Sequence, residues 1–447
     1  MSADKSLVAS LQALWDIPPP GPQNLWSSRE FVSLKELLTK RYRSGKSTFG
    51  LEASIGNALR SLGLPCSTPH LLSQTKPDMD KVATALAYEF QRTTTRRRYF
   101  CPLDMADELP SFQFGNARMG RFAATELEVL FNASRLERCY PGIRLDAQRL
   151  SKFHWMVVEE DISVRDESGN RQFSWLDFPF GKDLGEIVPH SGRFPAAVER
   201  ALFFLLLAPW EDWAEMAEMA EVDWRSFRLP WIYTLDDDLC AFPPPPPPPE
   251  RLSWESYFHQ VDHDEWEESE RPMGLRTWAT AEDVRQALEA RWAPLQAVST
   301  QASELFSTPV EHFLVRAFLS DGIDEVMAHL IMIEAAFGAE ADHRRKLRLT
   351  GDNHDESPTR RVAARLSAAI VQPGAAKEYL DLYDMRCTYV HGRSESRIIS
   401  TQQRVLARRL AREAANALVG LAQAQQSRDI VLFDLLNRGV ANLPPKP

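Results

Sequence analysis

Seven consecutive prolines, Pro243 to Pro249, constrain this chain more than any other stretch. Each proline lacks an amide hydrogen and holds φ near one value, so the run cannot continue a helix or enter an inner strand. It favours a stiff polyproline II conformation. A chain of 447 residues is also too long for one ordinary core. The run therefore reads as a spacer that ends one part of the protein before another begins. A ligand for a proline-recognition domain is the alternative, but no second biased segment accompanies it.

Composition narrows the function classes. A hydrophobic content of 44% with 26% charged residues describes a globular protein. The longest apolar run, Ala201 to Ala208, stops at Pro209. It is far short of the roughly 20 residues of a membrane-spanning helix, so it reads as a buried helix and no membrane association is expected. The first residues show no basic segment leading into an apolar one, so no secretory signal is expected. Cys66, Cys101, Cys139, Cys240 and Cys387 are far apart with no CxxC pair. That predicts reduced thiols in a cytoplasmic protein and no zinc knuckle. The net charge of −10 disfavours an obligate duplex binder with a broad basic face. The charge is uneven, with seventeen acids against four bases between Glu211 and Arg271, and sixteen of each sign between Gln301 and Gln425.

The first 98 residues read as mostly helical, broken at Pro18 to Pro22, with an amphipathic helix over Phe31 to Tyr42. Gly45-Lys46-Ser47-Thr48 has the ending of a phosphate-binding loop. That motif needs a further glycine five residues earlier, at the end of a buried strand; Lys40 stands there instead, and a solvated turn accounts better for the stretch. Residues 99–242 read as an α+β domain. Trp155 to Val158 and Asp161 to Val164 are strand-like, Glu167 to Asn170 a hairpin turn, Phe173 to Leu176 a further strand, and Ala196 to Trp213 a buried helix. Residues 243–280 then form a proline-rich and acidic linker. Within it His259, Asp262, His263, Asp264 and Glu265 are metal-ligand types, but a solvated loop is the commoner meaning of such a charge run, and no metal or other cofactor is expected.

From residue 281 the pattern is helical throughout. Thr308-Pro309 and Ser357-Pro358 are helix starts, Gly338 a stop and Pro373-Gly374 a break, and Ser400 caps a long amphipathic helix reaching about Gln425. This predicts an all-α bundle of four or five helices over 281–427, with 428–447 as a tail. The fold class is thus multidomain α+β: an N-terminal mixed α/β region followed by a C-terminal helical bundle.

Within the bundle, the helix from Leu380 carries Arg386 near its end, with His391 five residues on and Gly392 as its stop. The spacing alone is uninformative. Random placement of 41 arginines and 10 histidines gives about one Arg-x4-His pair, and a second one, Arg149 to His154, is present at the entrance to a strand. An arginine and a histidine at a helix C-terminus can also serve simply to balance the dipole and cap carbonyls. The surroundings add more. Leu380, Tyr383 and Arg386 recur at helical spacing before Val390-His391-Gly392, and an earlier helix places Glu334 inside the apolar stretch Ile331 to Phe337.

In these residues, roughly 300 to 425, the chain resembles the ApeA-like branch of the HEPN superfamily. The resemblance implies a helical bundle that pairs face to face as a homodimer. It also implies a metal-independent endoribonuclease of antiviral defence, abortive infection or toxin systems. The family's paired Arg and His map onto Arg386 and His391. Cys387 departs from the pattern, since many active members have Asn, Asp or His after the arginine. Some members have lost catalysis and serve as dimerisation or nucleotide-sensing modules, which is the alternative here. The residue types suit the chemistry. A histidine with pKa near roughly 6.5 moves protons at neutral pH, and a guanidinium binds two phosphate oxygens while staying charged. Arg393 and Arg397 are expected to hold flanking phosphates of the RNA. The N-terminal region is expected to sense a phage or cellular trigger. Residues five apart on a helix diverge by roughly 140°, so convergence requires an unwound end or two copies sharing one cleft.

Overall fold

Leu7, Leu11 and Leu14 repeat at the spacing of one helix face, as do Phe31, Leu34 and Leu38, and all six are buried. They belong to helices α1 (Lys5–Trp15) and α2 (Arg29–Tyr42). With α3 (Thr48–Ser61) and α4 (Met79–Gln91) they enclose one apolar cluster that also takes in Leu64, Cys66 and Cys240. Asp4 and Asp78 cap α1 and α4 by accepting hydrogen bonds from first-turn amides. The computed structural model describes residues 4–17, 25–42, 48–67, 76–166, 169–171, 194–214, 224–262, 265–301, 303–352, 354–390 and 398–446. Pro18 to Pro22, Gly45 to Ser47 and Phe173 to Leu176 therefore lie outside the described residues.

The protein is mixed α+β and mostly helical. It divides into two units that alternate along the chain: Met1–Leu103, Asn116–Glu186 and Pro230–Pro272 in one, Asp104–Gly115, Ile187–Leu229 and Met273–Pro447 in the other. Each unit is assembled from segments that lie apart in the sequence. Pairing across the sheet joins segments distant in sequence, and side-chain spacing does not report that.

In the first unit an antiparallel sheet places Ala117–Arg121 beside His154–Ser163, then Thr94–Leu103, then Tyr233–Asp236. The two strand-like stretches read separately at 155–158 and 161–164 are one strand, His154–Ser163. Its neighbour Thr94–Leu103 carries three arginines, Arg96 to Arg98, after its two opening threonines. Arg97 pairs with Asp236, and Arg98 with Glu159 and Asp237, across the two flanking strands. Helices α5 (Ala124–Leu130), α6 (Ala133–Cys139) and α7 (Ala147–Leu150) cover one face of the sheet, where Phe131, Trp155, Val157 and Tyr233 are buried. The turn expected at 167–170 has its described half, Gly169 and Asn170, between the bridged residues Arg165 and Arg171; Glu167 and Ser168 lie outside the described residues.

The proline run is not a free spacer. Tyr140 and Tyr233 donate their hydroxyls to the carbonyls of Pro243 and Pro244 at 2.7 and 2.8 Å, and the Trp254 indole donates to Pro249 at 2.9 Å. Proline keeps its carbonyl, so a polyproline strand still accepts hydrogen bonds. The acidic segment after it is not a loop either. Trp254–Asp262 and Glu265–Pro272 pair as an antiparallel hairpin.

The second unit is all helix apart from short pieces. It comprises α8 (Ala196–Leu206), α9 (Trp210–Trp213), α10 (Ala281–Gln301), α11 (Val310–Leu319), α12 (Ile323–Phe337), α13 (Glu340–His343), α14 (Pro358–Ala369), α15 (Ala375–Val390), α16 (Thr401–Ala422) and α17 (Arg428–Gly439). The buried helix at 196–213 is present but breaks before Pro209, and it belongs with the helices rather than with the sheet. Arg408 donates to the Leu206 carbonyl, and Arg412 pairs with Glu211 at 2.5 Å. Fully buried Glu325 accepts from the Trp224 indole and from Arg404, each at 2.6 Å. The expected stripe of Val326, Leu330, Ile333 and Phe337 is buried, and Gly322 and Gly338 bound their helix. Ser357 and Ser400 cap α14 and α16. Thr308 does not cap α11; its hydroxyl donates to the Ala335 carbonyl. The expected tail is largely α17, whose Val431, Leu432, Leu435 and Leu436 are buried. Arg428 at its start donates to the carbonyls of Ala335, Ala336 and Gly338 and so closes the C-terminal end of α12.

Candidate functional site

Helix α15 brings Tyr379, Tyr383 and Arg386 onto one stripe, because residues four and three apart share a helix face. Tyr379 is fully buried and anchors the helix in the unit. Its ring lies 6.1 Å from that of Tyr383, and the Arg386 guanidinium lies over the Tyr383 ring at 5.3 Å. Facing this stripe is α12, which supplies Glu334. Arg386 Nη1 donates to Glu334 Oε1 at 2.7 Å. The two side chains are 25% and 31% exposed, so the pair is reached by solvent and does not lie in the core. Nη2 and Nε of Arg386 have no partner among the described residues.

Burial raises the carboxyl of Glu334 above its usual range, with Arg386 and then the nearby His343 pulling the other way. Tyr379 is pushed well above the ordinary phenol range by burial first and by the charge of Glu334 second. Its hydroxyl has no hydrogen-bond partner among the described residues. The cluster therefore combines one guanidinium with donors to spare, one carboxylate, and a buried phenol that stays neutral. Such a set can hold an oxyanion and fix its orientation.

Of the residues singled out in the sequence, Arg386 is thus placed, together with Glu334. His391, Gly392, Arg393 and Arg397 lie outside the described residues. Cys387 is a free, partly exposed thiol. Sequence reasoning missed two members of the cluster, Tyr379 and His343. Tyr379 stands seven residues before Arg386, and that spacing was the available signal; His343 ends the short helix α13, in a polar stretch whose sequence reads as a loop and has no periodicity to place it.

The competing Arg-x4-His pair does not converge. His154 is buried at the first position of its strand. Arg149 instead pairs with Glu250 and Glu270 at 2.5 and 3.0 Å and stacks on Trp254. Of the metal-ligand types after the proline run, His259 faces Glu267 across the hairpin at 3.8 Å, while His263 and Asp264 lie outside the described residues. Among the described residues no three His, Cys, Asp or Glu side chains gather as a metal site, and no helix is long and apolar enough to cross a membrane. The helix α2 precedes Lys46 where a phosphate-binding loop would require a strand. Compared with known proteins, the chain matches no family model, no curated protein and no solved structure.

Proposed function

We propose that the chain is a metal-independent endoribonuclease of the HEPN type, acting in the cytoplasm in antiviral defence or as a toxin. The observation that carries this reading is the Arg386–Glu334 pair at the exposed end of α15. The carboxylate fixes one edge of the guanidinium while two of its nitrogens remain open to a phosphate. His391 follows one residue after the last described turn of that helix. In the reaction the RNA 2′-hydroxyl attacks the adjacent phosphorus, and His391 accepts the hydroxyl proton. The bond from phosphorus to the 5′-oxygen breaks, and a proton returns to that oxygen, leaving a 2′,3′-cyclic phosphate and a 5′-hydroxyl end. Arg386 neutralises the charge that builds on the non-bridging oxygens. Arg393 and Arg397 hold flanking phosphates.

A homodimer fits the same reading. Tyr389 and Val390 at the end of α15 are 54% and 59% exposed, an apolar surface that a second copy would cover while bringing two Arg–His sets into one cleft. The unit containing the sheet then serves to sense a phage-derived or cellular trigger that raises a basal nuclease activity. The test is incubation of the full chain with cellular RNA in EDTA, beside Arg386→Ala and His391→Ala. Cleavage to 2′,3′-cyclic ends by the parent alone is the expected result; equal cleavage by all three would remove the site.

The ion pair favours one further reading. Glu334 neutralises Arg386, and the pair could act only to lock α12 to α15 in a catalytically inactive dimerisation or nucleotide-sensing module. That reading expects no cleavage under any trigger, with loss of stability in Arg386→Ala as the sole effect.

A further inference from the structure

The helical unit holds a second opening, apart from Arg386. Between α10, α16 and the end of α14 lies a cavity of about 650 Å³, a size suited to a small organic ligand. One wall is the stretch of α10 where Pro294 interrupts an otherwise regular helix of 21 residues. Proline offers no amide hydrogen, so the carbonyl of Ala290, four residues back, loses its helical donor. Ala290, Arg291 and Pro294 all line the cavity.

Arg291 is the unusual member of that wall. Its Nη1 donates to Ala287 on its own helix at 2.7 Å, and its Nε is buried with no partner among the described residues. No carboxylate of the described residues pairs with it. Burial, and then the nearby charge of Arg412, push its pKa below the usual guanidinium value. Arg412 is itself satisfied by Glu211 at 2.5 Å and Asp212 at 3.3 Å. Arg291 is thus a half-buried cation without a direct ion pair, with the charge of Glu211 acting on it only weakly, facing a cavity.

The opposite wall, from α16, has a polar end with Arg412, Glu413 and Asn416 and a small apolar stretch with Ala417 and Gly420. A Cβ on Gly420 would meet nothing within 4 Å, so no neighbour requires a glycine there. A glycine inside a helix costs about 1 kcal/mol relative to alanine, and here its effect is to leave the wall open.

We propose that this cavity binds a small organic anion: a phosphate or carboxylate held by Arg291, carried on a flat apolar body that lies against Ala417 and Gly420. A hydroxyl or amine on the ligand would complete the Ala290 carbonyl. The experiment is titration calorimetry on the full chain with phenyl phosphate, benzoate, phenol and inorganic phosphate. Phenyl phosphate or benzoate is expected to bind at least roughly tenfold more tightly than phenol or inorganic phosphate. Which of the two binds identifies the head group. Arg291→Gln should weaken the anionic probe by roughly tenfold or more, and Gly420→Leu should weaken it by filling the wall. The proposal is overturned if neither anion saturates the protein by about 1 mM, or if binding is unchanged in both variants. Should Arg291→Gln fail to fold, as judged by circular dichroism, Gly420→Leu decides alone.

Discussion

Arg386 Nη1 donates to Glu334 Oε1 at 2.7 Å and so joins the last turns of α15 to the last turns of α12. The pair does two things at once. It ties the two helices together, and it fixes one edge of a guanidinium whose other nitrogens have no partner among the described residues. Those two roles separate on substitution. Glu334→Gln keeps a hydrogen-bond acceptor and removes the charge, so a stability loss of about 0.5–1.5 kcal/mol is expected. Arg386→Ala should cost a similar amount of stability, yet lower RNA cleavage by at least roughly a hundredfold, as expected for a group that stabilises transition-state charge. Chemical denaturation and single-turnover cleavage, run on the same samples, distinguish a nuclease site from a helix lock. A cleavage loss no larger than that of Glu334→Gln would favour the lock.

His329 provides a pH test within the same unit. It is fully buried, and neither ring nitrogen has a hydrogen-bond partner among the described residues. Burial, followed by the charges of Arg408, Arg225 and Arg404, places its pKa well below the ordinary histidine value. The acids beside these arginines are themselves engaged: Glu325 by Arg404 and Trp224, Asp321 by Arg225, and Glu211 by Arg408 and Arg412. The sign follows from linkage. The unfolded chain takes up a proton near pH 6.5 and the folded chain does not. Stability is therefore full above that pH and falls below it, by at most about 1.4 kcal/mol per pH unit for this group. His329→Leu should remove this part of the slope between pH 6.5 and 5. Urea melts at several pH values measure it, and an unchanged slope would show that His329 titrates normally.

Asp342 holds the turn after α12. It accepts from Arg365 at 2.6 and 2.8 Å and from Arg361 at 2.6 Å, with all three residues buried. Burial alone would raise its carboxyl pKa, but the two guanidiniums keep it below the usual range. Its stabilisation is thus present above about pH 4, the unfolded value, and is lost as pH falls through the lower folded value. Asp342→Ala strands the buried Arg365, while Arg361 keeps Asp352, and should cost about 3–5 kcal/mol. Replacing Asp355, an exposed partner of Arg345 at 2.9 Å, should cost less than about 1 kcal/mol. Denaturation midpoints of the two variants give the comparison directly.

Legibility in the sequence follows the range of the interactions involved. The starts at Ser357 and Ser400 and the stop at Gly338 are local, each set by one side chain or by one residue without a Cβ, and all three stand where they were read. Glu334 stands out in the sequence as an acid inside an apolar stretch, and its partner, Arg386, comes from another helix 52 residues on. What escaped is non-local. The strand Thr94–Leu103 carries Arg97 and Arg98, whose partners Asp236, Asp237 and Glu159 are about 60 to 140 residues away in sequence. The prolines dock through hydroxyls of Tyr140 and Tyr233, donors that nothing in the run itself announces. The hairpin of Trp254–Asp262 and Glu265–Pro272 is rich in glutamate, which disfavours strands on propensity. Arg386 was legible by its setting, and Tyr379 only by its spacing from Arg386.

Two glycines give opposite expectations for one substitution. A Cβ on Gly439, at the end of α17, would lie 1.9 Å from the Ala364 carbonyl oxygen and 2.5 Å from its carbon, both backbone atoms of α14. Neither helix can yield there without moving as a body, since Leu432, Leu435 and Leu436 are buried on the same side. Gly439→Ala should therefore destabilise the protein by about 1–3 kcal/mol, the usual cost of forcing extra volume into a packed interface. Gly420, inside α16, has nothing within 4 Å of its added Cβ, so alanine there recovers helix propensity and should stabilise by up to about 1 kcal/mol. Thermal melts of the two variants test whether α17 is a packed member of the unit. If Gly439→Ala were neutral, residues 428–439 would behave as the tail that the sequence suggests, and Val431, Leu432, Leu435 and Leu436 would not be buried as described.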